Sequence, residues 1–225
     1  MRTRTPLAIK PFRWSLFLLA FLSLAIIGCG DKTYIETFDS LGSWGHGDNA
    51  DVTGEVANGV YEMYVKADSG LFWSTAGKED LGVGTYELET TQIEGPLDNG
   101  YGLMFRVDSE ANDFLLFEIS SDGFVWIGWC ENGCEDEALP LVDEGWFESK
   151  AIREDLNVTN NLRVVYDNSE MVFSVNGQEV GRVSNSDLGD KVASGDVGLL
   201  VETLGQSGVR VAFDNFRYMP LAEEE

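Results

Sequence analysis

Histidine is almost absent. The 225-residue chain holds one, His46, inside the glycine-rich stretch WGHGDN. A histidine-based nucleophilic triad needs an orienting acid and a nucleophile beside the ring. Nothing in the sequence places them, so His46 is read as a surface residue. Cysteine is nearly as scarce, with Cys29, Cys130 and Cys134. A zinc centre on Cys130 and Cys134 would need two further ligands, which one histidine cannot supply. Cations are scarce as well: 15 Lys and Arg stand against 39 Asp and Glu, a net charge of −24. Nucleic-acid binders need a basic footprint, so this balance argues against nucleic acid as a partner. It also disfavours tight contact with anionic headgroups. Beyond residue 30 no window keeps a helical apolar stripe for three turns, and no Ser/Pro/Gly linker divides the chain.

The one sustained apolar run lies at the start. Arg2, Arg4, Lys10 and Arg13 precede a run from Trp14 to Ile27 that is broken only by Ser15 and Ser23. A basic start, a short apolar core and small residues at its end make a secretory signal. The run falls short of the about 20 residues that cross a bilayer comfortably, and the other reading is a short uncleaved anchor. Ile26-Ile27-Gly28-Cys29 resembles a bacterial lipoprotein lipobox. The resemblance implies cleavage before Cys29 and a thioether-linked diacylglycerol on its sulfur, with further fatty acyl chains such as palmitate. At ~0.8 kcal/mol per buried methylene, two or three chains hold a protein at a membrane almost irreversibly. The protein is therefore expected in the bacterial cell envelope, extracytoplasmic and lipid-anchored. Twin arginines are absent, so the general secretory route is the default.

Removing residues 1–28 leaves 11 basic against 39 acidic residues, a balance of −28. The plain reading is solubility, and the sharper one is carboxylates that hold divalent cations. Beyond the membrane, Cys130 and Cys134 in WCENGCEDE are expected to form a disulfide. Closing so small a loop contributes about 2 kcal/mol on the chain-entropy estimate.

The rest alternates with period two, the mark of half-buried strands. VYEMYVKA sets Tyr61, Met63 and Val65 on one face, and TYELETTQI sets Tyr86 and Leu88 against Glu87 and Glu89. YGLMFRV sets Tyr101, Leu103, Phe105 and Val107 against Met104 and Arg106. LLFEI sets Leu115, Phe117 and Ile119 against Leu116 and Glu118, and NLRVVY turns Leu162, Val164 and Tyr166 inward. Asn176-Gly177 is a strong two-residue hairpin signal, since a type I′ turn needs positive φ twice. SNSDLGDK leaves room for one short helix or turn. Twelve or so short strands describe an all-β, two-sheet antiparallel sandwich.

FDSLGSW, GYGLMFRV, DFLLFEISSDGFVWIGW, WFESKAI, NNLRVVYDNSEMVFSVNGQEVGRV, GDVGLLVET and VRVAFDNFRY follow one another in the chain. Together they resemble a concanavalin A-like lectin/glucanase jelly roll of the laminin-G kind, found on many bacterial lipoproteins. The resemblance spans residues 34–219. It leaves 1–28 as signal, 29–33 as lipidated tether and 220–225 as acidic tail. It implies a fold that hosts lectins, glycosidases, adhesion modules and spacers. Glucanases of this fold carry a Glu-x-Asp-x-x-Glu run on one strand, and this chain has none. The VNG hairpin and closing FDNF strand also resemble a sugar-hydrolase family long listed as a domain of unknown function. That family's asparagine- and histidine-bearing central motifs are missing here.

Three candidate sites follow. The resemblance implies a structural calcium between Glu36 on the first strand and Asp214 on the last, supplied with the oxygen ligands that hard cations want. The bland reading is an Asp214 bonded to backbone amides at a bulge. Second, Arg106, Glu118, Phe124, Trp126 and Trp146 could line a sugar-binding groove on the concave face, or the rings could all be core. Trp126 and Trp129 are three apart and point to opposite faces, while Trp44 and Trp73 are read as core. Third, the acidic CENGCEDE loop is either a partner surface or a stapled, solvated hairpin tip. The preferred function is a non-catalytic, membrane-anchored module for a glycan or an extracellular protein. The others are a glycoside hydrolase using Glu118 with an unidentified second acid, and a structural envelope domain.

Overall fold

A computed structural model describes residues 33–134, 138–188 and 194–221. The expected signal, Cys29 and its tether, the acidic residues 135–137 and the end of the tail lie outside them. The strands in chain order are β1 (Tyr34–Glu36), β2 (Gly47–Asp48), β3 (Val52–Ala57), β4 (Val60–Val65), β5 (Ser69–Thr75), β6 (Gly84–Glu94), β7 (Gly100–Asp108) and β8 (Asp113–Ile119). They continue with β9 (Phe124–Cys130), β10 (Leu139–Pro140), β11 (Phe147–Glu148), β12 (Asn160–Tyr166), β13 (Glu170–Val175), β14 (Gln178–Ser184), β15 (Asp196–Leu204) and β16 (Val209–Pro220). One short helix, α1 (Asn185–Leu188), sits in the SNSDL stretch. Among the described residues no helix is long and apolar enough to cross a membrane.

The strands form two antiparallel sheets. One runs β14-β13-β12-β6-β16-β4-β3-β2, with β1 added against β16. The other runs β10-β9-β8-β7-β15-β5, with β11 added against β9. The core between them is made by the residues that alternation sends inward: Tyr61, Met63, Val65, Tyr86, Leu88, Leu162 and Val164 from the first sheet, and Tyr101, Leu103, Leu115 and Phe117 from the second. Phe117 meets Phe173 edge-on across the sandwich, with ring centroids 5.3 Å apart. The expected hairpin closes at Asn176 and Gly177, both in the left-handed region with φ of 51° and 80°. Asn58-Gly59 turns β3 into β4 with nearly the same pair of angles.

The two outer faces differ. The first sheet turns charge to water, as in Arg163 with Glu87 (3.1 Å) and Arg210 with Glu62 (3.3 Å). The second is apolar on its outer face as well: Met104, Leu116, Leu200, Phe114, Val107 and Trp126 form a separate buried cluster there. Leu71, Ala138, Cys134 and Trp146 cover part of it. This two-sided burial explains why β7, β8 and β9 read as near-continuous apolar runs.

Two inward-outward assignments on β7 are corrected. β7 carries a bulge between Phe105 and Asp108, and Arg106 takes φ = 54°. The extra residue inverts the alternation beyond it. Val107 therefore joins the outer cluster, and Arg106 turns toward the inter-sheet core over Tyr166, 5.1 Å from the ring centroid.

Candidate functional site

The second sheet lays a row of residues across five strands. Trp73 on β5 pairs with Leu200 on β15, and Leu200 with Gly102 on β7. Gly102 pairs with Glu118 on β8, and Glu118 with Trp126 on β9. In the next row Leu71 pairs with Glu202, and Glu202 with Gly100. Antiparallel register thus brings Glu118 and Glu202 from distant parts of the chain onto one face, two strands apart, with a glycine strand between them.

Gly100 makes this arrangement possible. A Cβ at that position would collide with Glu118 Oε2 and lie 3.2 Å from ring carbons of Trp146. The bare backbone is where the carboxyl group and the indole edge come to rest. Trp146 reaches it from the segment before β11, which is fixed by the pairing of Phe147 with Val125 and of Glu148 with Phe124. Together these groups line a cavity of about 620 Å³, whose walls include Trp73, Trp126, Trp146, Glu118, Glu202 and Leu116. A smaller hollow, about 80 Å³, adjoins it at Trp146 and Leu204 and is lined by Phe124, Ser120 and Asp122.

Both carboxyls are electrostatically perturbed. Glu118 is 1% exposed, and its Oε2 has no hydrogen-bond donor. Burial, and then the charge of Glu202, push its pKa well above the usual carboxylate range. Burial raises Glu202 too. Burial and the mutual repulsion of two carboxylates both favour the protonated form of such a pair. Such a pair can accept hydrogen bonds, hold a cation or move a proton.

The sequence-predicted groove residues therefore divide. Glu118, Trp126 and Trp146 meet at the cavity, and Phe124 lines its smaller neighbour. Arg106 belongs to the inter-sheet core. Trp129 packs between the sheets, opposite in facing to Trp126, and Trp44 is core at 1% exposure. Trp73 is corrected: it is 40% exposed, on the cavity wall and 5.7 Å from the Phe114 ring. Sequence reasoning missed Glu202. Its strand, DVGLLVETL, offers two acids on the alternation of Leu200, Asp196 and Glu202, and that signal gains meaning only from the pairing with β7.

The two expected cation ligands each accept hydrogen bonds from neighbouring residues. Glu36 accepts from the Phe38 backbone N–H at 2.9 Å and from the Tyr34 hydroxyl at 3.4 Å. Asp214 accepts from the Asn215 N–H at 2.7 Å and its side-chain amide at 3.1 Å, at a bulge where Asn215 has φ = 51°. Burial raises the Asp214 pKa, helped by Glu89 and Asp39. Among the described residues no group of three or more metal-ligating side chains gathers. Cys130 and Cys134 are disulfide-bonded with Cα atoms 4.8 Å apart, and Cys134 borders the cavity. His46 is exposed, in a shallow depression beside Trp73 and Tyr61.

The chain matches no protein-family model and no curated protein. Its fold does match solved structures. A carbohydrate-binding module from Bacillus subtilis is 18% identical, with a TM-score of 0.59 over 80% of this chain and 97% of that one. The laminarinase catalytic domain of Thermotoga maritima is 14% identical, with a TM-score of 0.57 over 84% and 98%. The β-glucanase of Bacillus licheniformis is 11% identical, with a TM-score of 0.58 over 84% and 98%. This chain is folded as a concanavalin A-like jelly roll.

Proposed function

We propose that the protein is a membrane-anchored extracytoplasmic module that binds carbohydrate in the cavity on the outer face of the second sheet. The observation that carries the reading is the convergence of Trp73, Trp126 and Trp146 on a cavity whose polar wall is Glu118 and Glu202. Sugar rings present apolar C–H faces to indoles and hydroxyl donors to carboxyl oxygens. Such sites are mostly apolar, with a few convergent polar groups. The likeness to a carbohydrate-binding module and to glucanases supports the same class of ligand.

The test is binding of the protein to a glycan panel by calorimetry, with Trp73→Ala and Trp146→Ala. Trp73 is half exposed, so its loss leaves the fold intact. Each variant is expected to weaken binding by about 2 kcal/mol, roughly 30-fold, as for a central aromatic anchor. Unchanged affinity in both variants would place the ligand elsewhere. The anchor is tested separately: Cys29→Ser is expected to shift the protein from the membrane to the soluble fraction and to leave it without acyl mass.

A second reading rests on the carboxyl pair. Two carboxyls with raised pKa in a cleft can serve as acid and base in glycoside hydrolysis. Release of reducing ends from β-glucans by the protein, lost in Glu118→Gln, would establish it. Stoichiometric binding without turnover leaves the module reading in place.

A further inference from the structure

The cavity is unbalanced in charge and in hydrogen bonding. Its described lining is leucine, tryptophan, alanine, glycine, one disulfide-bonded cysteine and two glutamates. No lysine or arginine is among them, so no wall group offsets Glu118 and Glu202. The two glutamates are also the only described titratable side chains in the lining: β5 contributes Gly70, Leu71 and Trp73, β9 contributes Trp126, and β15 adds only Leu204 beside Glu202. Acceptors dominate, and the only side-chain donors are indole N–H groups. A neutral sugar, whose hydroxyls both give and accept, would leave this wall half used. Glu118 borders the cavity, and its Oε2 is out of water and lacks a donor. An unmet buried acceptor costs about 1–3 kcal/mol, and more when charged. Each such group in a native structure calls for an explanation, and a bound partner is one.

We infer that the cavity recognises a sugar carrying a free ammonium group, a hexosamine without its N-acetyl cap, with the ammonium between Glu118 and Glu202 and the sugar ring against Trp73, Trp126 and Trp146. This inference deepens the carbohydrate reading and rests on it. An ammonium brings three donors and one positive charge to a site whose described lining has no cation and no side-chain donor but indole N–H groups. Indole faces attract cations as well as C–H surfaces. The ring supplies the apolar body that a small inorganic cation lacks. The net charge of −24 steers such a ligand toward the protein. Burial raises both groups, which favours a proton on the carboxyl pair in the empty site. The ammonium takes the place of that proton, which leaves to solvent as the ligand enters.

The experiment compares three tetramers of one linkage by calorimetry on the full chain: β-1,4-linked glucosamine, N-acetylglucosamine and glucose. The glucosamine tetramer is expected to bind at least 10-fold more tightly than the other two. Its apparent heat is expected to vary with the ionisation enthalpy of the buffer, reporting the released proton. Glu202→Gln is expected to erase the preference and the buffer dependence. Asp187→Asn removes one exposed acid on α1 and is expected to change nothing. Equal affinity for the three tetramers overturns the ammonium site and leaves the carbohydrate reading standing. Equal weakening by Asp187→Asn and Glu202→Gln overturns it too, since the attraction would then be diffuse. Failure of all three tetramers to bind overturns the inference and the carbohydrate reading together.

Discussion

Replacing Glu118 with methionine is expected to stabilise the protein while abolishing ligand binding. The side chain is of similar length, sits among Leu116, Trp126 and Leu200 on the outer face, and leaves no acceptor to be met. Removing a buried polar group with no partner recovers about 1–3 kcal/mol. At about 2–4 °C per kcal/mol for a domain of this size, the melting temperature rises by roughly 2–12 °C. The gain depends on pH, and its sign follows from the direction of the shifts. Glu118 and Glu202 have folded-state pKa values raised above the unfolded ones. Between those values the folded state holds more protons than the unfolded state, so stability falls as pH rises through that window. Thermal melts from about pH 5 to pH 9 are therefore expected to decline for the native sequence and to flatten for Glu118→Met. A variant less stable than the native protein across the whole range would show that the carboxyl has a donor after all. Functional sites commonly hold such unspent stability, because what binds a ligand is poorly satisfied without it.

Asn160→Ala is expected to give the largest loss of stability among polar substitutions. Asn160 begins β12 and is fully buried. Its Oδ1 accepts from the Arg153 N–H at 2.9 Å and from Asn176 Nδ2 at 2.7 Å, and its Nδ2 donates to the Arg153 carbonyl at 3.0 Å. Asn176 in turn donates to the Ala151 carbonyl at 2.8 Å and accepts from the Asn161 N–H at 3.0 Å. Two side-chain amides thus pin the 149–159 segment to the β13–β14 hairpin. Truncation removes three hydrogen bonds made by a fully buried side chain, so a total of about 3–5 kcal/mol is expected. Urea unfolding monitored by tryptophan fluorescence would measure it as a lower midpoint at constant slope. A loss below about 1 kcal/mol would mean that the segment rearranges to satisfy itself.

Much of the sandwich was legible because the alternation in LLFEI, NLRVVY and TYELETTQI states which residues turn inward, and local physics enforces it. The Asn176-Gly177 hairpin was legible for the same reason, since positive φ restricts what can stand there. The bulge at Arg106 was not. Its cause is a mismatch between β7 and β8, and a single strand carries no trace of its partner's register. The site was half legible. Glu118 and Trp126 lie on one hairpin, close enough in sequence to be paired by eye. Glu202 and Trp73 reach the same cavity from 84 residues after Glu118 and 45 residues before it, through the pairings of β15 with β7 and β5. A tryptophan in an alternating strand looks the same whether its face meets the other sheet or a cavity wall, so exposure of Trp73 had to come from the fold.

The last strand also decides when the domain can exist. β16 sits in the middle of its sheet, between β6 and β4, and carries β1 as well. Without it the sheet falls into two pieces that share no edge, and the first strand has nothing to pair with. A chain emerging from the ribosome can assemble the β7–β8–β9 meander early, since those strands are neighbours in sequence. It cannot close the sandwich until β16 has been made and is free. Contacts of such long sequence separation make folding slow, and they make it a single late event. Up to that moment the nascent domain is an open chain that a partner could still hold or thread.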